Sequence, residues 1–127
     1  MNVVGMQNEV ALLPQVMPDV VHRFADGCYS REVTMLKGCL GVGALHKTNH
    51  HFILSKGKIL VKNGNVDEIL VAPHHSITRP GDKRSIFAME DSVITTFHVT
   101  ELTDVEAIGE LILGEELIGE LILGEEL

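Results

Sequence analysis

Aromatic residues are scarce in this 127-residue chain: it has no tryptophan, one tyrosine and four phenylalanines. Any core must therefore be built mainly from Val, Ile and Leu. Hydrophobic residues make up 45% of the chain, enough to fold rather than stay disordered. There are only two cysteines, Cys28 and Cys39. Their spacing excludes a zinc-finger pattern, and buried free thiols are the expectation in a reducing compartment. No apolar run is long enough for a membrane span. The opening stretch MNVVGMQNEVALLPQVMPDV has no basic segment ahead of an apolar one, which argues against a secretory signal. The expected location is cytoplasmic. The chain also lacks a phosphate-cradling glycine loop, a Ser–His–Asp ordering and a cysteine in a nucleophile's neighbourhood.

Positive charge is missing from the last third. All ten Lys and Arg lie between Arg23 and Arg84, while residues 85–127 carry 11 of the 18 acids. The net charge of −8 is therefore concentrated in an acidic C-terminal part that would repel nucleic acid. A solvated tail is the plain reading. Docking of the tail on a basic surface, its own or a neighbour's, is the sharper one.

What the chain does have is many short apolar runs with turn signals between them. They are Val20–Phe24, Cys28–Met35, Cys39–Leu45, His50–Leu54, Lys58–Val61, Val66–Val71, His75–Thr78, Ser85–Met89 and Ser92–Thr100. Asn63-Gly64-Asn65 is a strong hairpin signal. Nine strands at this spacing predict an all-β sandwich or barrel in one domain. Residues 1–19, interrupted by Pro14 and Pro18, read as an arm, and residues 20–102 as the barrel. Thr103-Asp104-Val105-Glu106 has capping-box form and predicts a short helix opening the 103–127 segment. Within that segment IGELILGEEL, residues 108–117, recurs unchanged as 118–127. Two copies are too few for a solenoid. A frayed acidic tail and a sticky segment packing on a neighbouring subunit both fit.

Three of the seven histidines, His46, His50 and His51, fall within six residues of one another. Neutral imidazole is the commonest nitrogen ligand for transition metals. Strand periodicity places His46, Thr48 and His50 on one face, with Lys47, Asn49 and His51 on the other. His98 lies on the last long run, on the same face as Ser92, Ile94, Thr96 and Thr100. His46, His50 and His98 are thus a candidate three-histidine metal site suited to Zn, Fe, Mn or Ni. Arg84 and Glu90 are candidates for the groups that support those ligands. His22, His74 and His75 read as structural or surface residues. Arg79, Lys83 and Arg84 read as a solvated basic turn.

The run Gly43 to Gly57, GALHKTNHHFILSKG, resembles the first sequence motif of the cupin superfamily. In that resemblance His46 stands at the second motif histidine and His50 at the motif glutamate. Ala44 replaces the first histidine. Arg79-Pro80-Gly81-Asp82-Lys83-Arg84 resembles the second cupin motif, with Arg84 where its histidine would be. Over residues 21–106 a longer string of short motifs is similar to small cupin-like proteins encoded by tailed bacteriophages and prophages. Among them are Gly27-Cys28-Tyr29-Ser30-Arg31-Glu32, His46-Lys47-Thr48, Ala72-Pro73 and Glu90-Asp91. The resemblance implies a small cupin-type β-barrel, a jelly roll, in a phage context. It leads to the expectation of a non-enzymatic module, either a virion or capsid-decorating protein or an accessory one. Its partners would be copies of itself or other phage structural proteins, with neither nucleic acid nor membrane, in the host cytoplasm or the virion. The alternative is a metal-dependent small cupin enzyme of dioxygenase, isomerase or lyase type, or a metal or small-ligand binding protein, using His46, His50 and His98.

Overall fold

The computed structural model describes residues 19–42, 49–79, 84–101, 103 and 121–123. Every element among them is a strand: β1 Asp19–Ala25, β2 Cys28–Met35, β3 Leu40–Val42, β4 His50–Lys56 and β5 Lys58–Asn63. The chain continues through β6 Val66–Val71, β7 His74–Thr78, β8 Arg84–Ala88, β9 Ser92–Val99 and β10 Leu121–Leu123. The expected arm over residues 1–18 lies outside the described residues, and Asp19 already belongs to β1. The helix expected from Thr103 also lies outside them, Thr103 itself being irregular.

Two five-stranded antiparallel sheets form, ordered β1-β2-β9-β4-β7 and β10-β3-β8-β5-β6. From β2 onward the chain passes repeatedly between the sheets, so neighbours within a sheet are mostly distant in sequence. This is the jelly-roll arrangement of an all-β barrel. The tightest crossing joins β4 to β5 through Gly57 alone. Its φ is +93°, and a Cβ there would run into Ser92 Oγ and the Asp91 carbonyl. Gly64 supplies a further left-handed position, φ +62°, in the β5–β6 hairpin expected from Asn63-Gly64-Asn65. Part of the repeated tail is a strand: Leu121, Ile122 and Leu123 pair with Val42, Gly41 and Leu40 at the edge of the second sheet.

Strand alternation sends one side chain in two to the interior. From β4 the inward set is His50, Phe52 and Leu54, with His51 outside. From β9 it is Ser92, Ile94, Thr96 and His98. The apolar core gathers Val33, Met35, Cys39, Phe52, Leu54, Ile59, Val61, Leu70, Ala88 and Ile94, with Val20, Ala72 and Ile86 at its margin. Leu54 and Ile59 are fully buried, each stabilising the fold by about 1.5–3 kcal/mol. Cys28 and Cys39 are both free thiols, as expected, but only Cys39 is buried and Cys28 is half-buried.

One end of the barrel is closed by backbone and hydroxyl bonding. Ser92 Oγ accepts from Lys58 N–H at 3.2 Å and donates to the Glu90 carbonyl at 2.8 Å. Asp91 Oδ1 accepts from Lys37 N–H at 2.8 Å. The core occupies the interior from this end up to Phe52. Beyond Phe52 the interior turns polar.

Candidate functional site

The polar end is assembled from strand termini. His50 opens β4, Thr78 closes β7, Arg84 opens β8, Tyr29 lies at the start of β2, and His98 lies near the end of β9. Register then fixes the neighbours. Tyr29 pairs with His98, and Arg31 with Thr96. Phe52 pairs with Thr96, which carries His50 alongside His98 one step further along the sheet. Thr78 pairs with His50 from the other side.

The two histidine rings meet at a centroid distance of 4.7 Å, tilted by 36°. Both are almost fully buried, at 5% exposure for His50 and 3% for His98. Tyr29 stacks on the other side of His98 at 5.9 Å, and Phe24 on Tyr29 at 5.3 Å. His22 stacks on Tyr29 too, and its Nδ1 lies 2.6 Å from the Tyr29 hydroxyl. A row of rings therefore crosses four adjacent strands, β1, β2, β9 and β4. The His98 Nε2 lies 3.1 Å from Thr96 Oγ1. Burial, then His50 and then Arg31 push the His98 pKa down from 6.5 to about 4. At neutral pH His98 is thus an uncharged imidazole, the form that ligates metals.

Arg84 is not part of a solvated turn. Its Nη1 donates to Thr78 Oγ1 at 2.9 Å, and its guanidinium sits 4.7 Å from the Phe52 ring centroid. It therefore reaches from the second sheet to Thr78 and Phe52, the cross-strand partner of His50 and the next inward residue on its strand. Glu90 is placed differently. It is exposed in the turn before β9, at the closed end. It is eight positions from His98, with most of β9 between them, a span of up to roughly 26 Å at the rise of an extended chain. The structure does not bring Glu90 to the histidine pair.

His46 lies outside the described residues, and the continuous strand expected through the histidine run is interrupted at Asn49, which has no strand pairing. Among the described residues no three His, Cys, Asp or Glu side chains come together as a metal-binding group. The described residues offer two buried imidazoles at this end, one short of the three protein donors that catalytic zinc sites use.

Three contributors to this end were not singled out by sequence reasoning. Tyr29 and Arg31 were hidden in an ordinary strand pattern, and His22 read as a structural or surface residue. The signal that finds them is the tight turn at Asp26-Gly27, which fixes Phe24 opposite Tyr29 and His22 opposite Arg31. A cleft of about 230 Å³, lined by Phe24, Asp26, Gly27, Cys28, Thr100 and Glu101 among others, opens at the same end.

No protein-family model and no curated protein sequence matches the chain. Solved structures do. A cupin-2 domain containing protein from Shewanella frigidimarina NCIMB 400 superposes with a TM-score of 0.54 at 17% identity, over 75% of this chain and 92% of that one. Ectoine synthase from P. lautus gives 0.65 at 10% identity, over 87% and 79%. An acetylacetone dioxygenase from Acinetobacter johnsonii gives 0.54 at 15% identity, over 68% and 65%. At such identities the likeness concerns the backbone alone: this chain has the jelly-roll fold of cupin-domain proteins.

Proposed function

We propose that the polar end of the barrel is a ligand-binding site whose resident is a divalent transition metal. The observation that carries this reading is the burial of two imidazoles, His50 and His98, 4.7 Å apart in the barrel interior. His46 is the third ligand in this reading, and Zn, Fe, Mn and Ni are the metals such nitrogen donors suit. Bound there, the metal supplies Lewis acidity or a site for oxygen, the chemistry of a small dioxygenase, isomerase or lyase. The chain's own residues set the frame. Thr96 and Tyr29 orient His98, Thr78 flanks His50, and Arg84 and Arg31 place positive charge where an anionic group of a substrate would lie. Metal analysis of protein purified without a histidine tag tests the reading. About one equivalent is expected, and less than roughly a tenth of an equivalent overturns it.

A second reading is an interaction module, for which the outer faces are the support; a phage particle as its setting rests on the sequence resemblance alone. In the second sheet, Leu40, Phe87, Leu60 and Ile69 lie side by side in register across four strands. Phe87 and Ile69 are 38% and 54% exposed. Such a stripe suits contact with further copies or coat proteins. Mass spectrometry of purified particles decides this reading: the protein is found there, or the virion role is lost.

A further inference from the structure

A second pair of histidines stands on the outside of the barrel, back to back with the first. His51 of β4 and His75 of β7 are both exposed, and their rings lie 4.9 Å apart with a 39° tilt. His51 Nδ1 and His75 Nε2 are 2.7 Å apart, sharing one hydrogen bond. The register explains the approach. His51 faces Ile77 and Ile53 faces His75 across the β4–β7 ladder, so the two imidazoles are diagonal neighbours on one face. The backbone of two hydrogen-bonded strands holds their positions, and only side-chain rotation is left free.

We propose that His51 and His75 form a surface metal site, separate from the barrel interior, for a divalent ion that takes cis nitrogen donors at a right angle. Nickel(II) and copper(II) are such ions. With metal–nitrogen bonds of about 2.0–2.1 Å, a right angle at the metal needs nitrogens about 2.9 Å apart. A tetrahedral angle needs about 3.3 Å. The observed 2.7 Å separation is therefore about 0.2 Å from the first geometry and about 0.6 Å from the second. The imidazole that donates the shared hydrogen bond changes tautomer, moving its proton to the other ring nitrogen, and both facing lone pairs become available. Water fills the remaining positions on the solvent side. The ion bridges β4 and the edge strand β7, so it staples that edge to the sheet.

Nickel(II) titration of the full chain, followed by nuclear magnetic resonance, tests the proposal independently of the interior site. Nickel is the probe of choice because it does not oxidise the free thiols. Paramagnetic broadening is expected at the His51 and His75 rings and the neighbouring β4 and β7 amides at the lowest nickel levels. His51→Thr and His75→Thr keep strand-forming residues at exposed positions. Each is expected to weaken nickel binding at this face by about tenfold or more, through loss of one of two ligands. Broadening confined to His50 and His98, or an unchanged isotherm in both variants, would overturn it.

Discussion

The two ends of the barrel are made by the same strands and follow opposite rules. On β4 the inward residue at one end is Leu54 and at the other His50; on β9 the corresponding pair is Ile94 and His98. Near the closed end, apolar side chains interlock and the hydroxyl of Ser92 is bonded to backbone on both sides. At the polar end, two imidazoles and a phenol are equally buried, with two half-buried guanidinium groups beside them. Burying an imidazole costs stability whenever its proton is wanted, and the drop of the His98 pKa to about 4 measures that cost. The closed end supplies the packing that offsets it. A small barrel can therefore hold a polar interior only because half of its interior is not polar.

Substitutions at the two ends sharpen this contrast. The largest effect is expected from Leu54→Ala, which leaves a cavity in the fully buried core and should cost about 3–5 kcal/mol in urea unfolding. A loss below about 1 kcal/mol would show that the closed end is loosely packed. Next comes the pH dependence of the metal-free protein. In the folded state His98 stays neutral down to about pH 4, while its unfolded value is 6.5. Between these values the unfolded chain binds the extra proton, so stability falls as pH is lowered through this window. The loss is at most about 3 kcal/mol and is complete below about pH 4. His98→Gln should flatten that part of the profile, read as the difference between the two proteins' unfolding energies at pH 7 and pH 4.5. Parallel profiles would mean that His98 is not held neutral.

Gly57→Ala combines a strained positive φ with a collision at Ser92 and should cost about 2 kcal/mol in thermal unfolding. Arg84→Met should cost about 1 kcal/mol, since it removes one hydrogen bond to Thr78 and one contact with the Phe52 ring. Its sharper readout is metal content. If Arg84 supports the histidine pair, bound metal falls with little change in melting temperature. The adjacent pair His50 and His51 gives the last comparison. His50→Ala should empty the interior of metal, while His51→Ala should leave the metal found on purification in place. Equal losses would contradict the inward and outward assignment of the two residues.

The strands were legible because alternation and turn chemistry agree along nearly the whole chain. Each of the nine expected runs contains a strand, and the opposite facing of His50 and His51 follows from a period of two. What could not be read was whatever depends on register between distant strands. Tyr29 meets His98 only because β2 and β9 pair across almost seventy residues of sequence. Arg84 looked like part of a solvated basic turn because its partners, Thr78 and Phe52, lie on other strands. His75 stood in an expected strand, but its approach to His51 depends on the pairing of that strand with β4. Glu90 suffered the reverse error: it is close to β9 in sequence but at its wrong end. The third ligand position and the helix after Thr103 remain sequence expectations, since they fall outside the described residues.

The row of rings has an optical consequence. With no tryptophan in the chain, Tyr29 is its sole strong near-ultraviolet fluorophore, and it is stacked on His98 and hydrogen-bonded toward His22. Its emission is therefore a built-in signal from the polar end of the barrel. Occupancy or protonation beside His98 changes the surroundings of the one emitter, so ligands for this end can be screened with the unlabelled, unmodified chain.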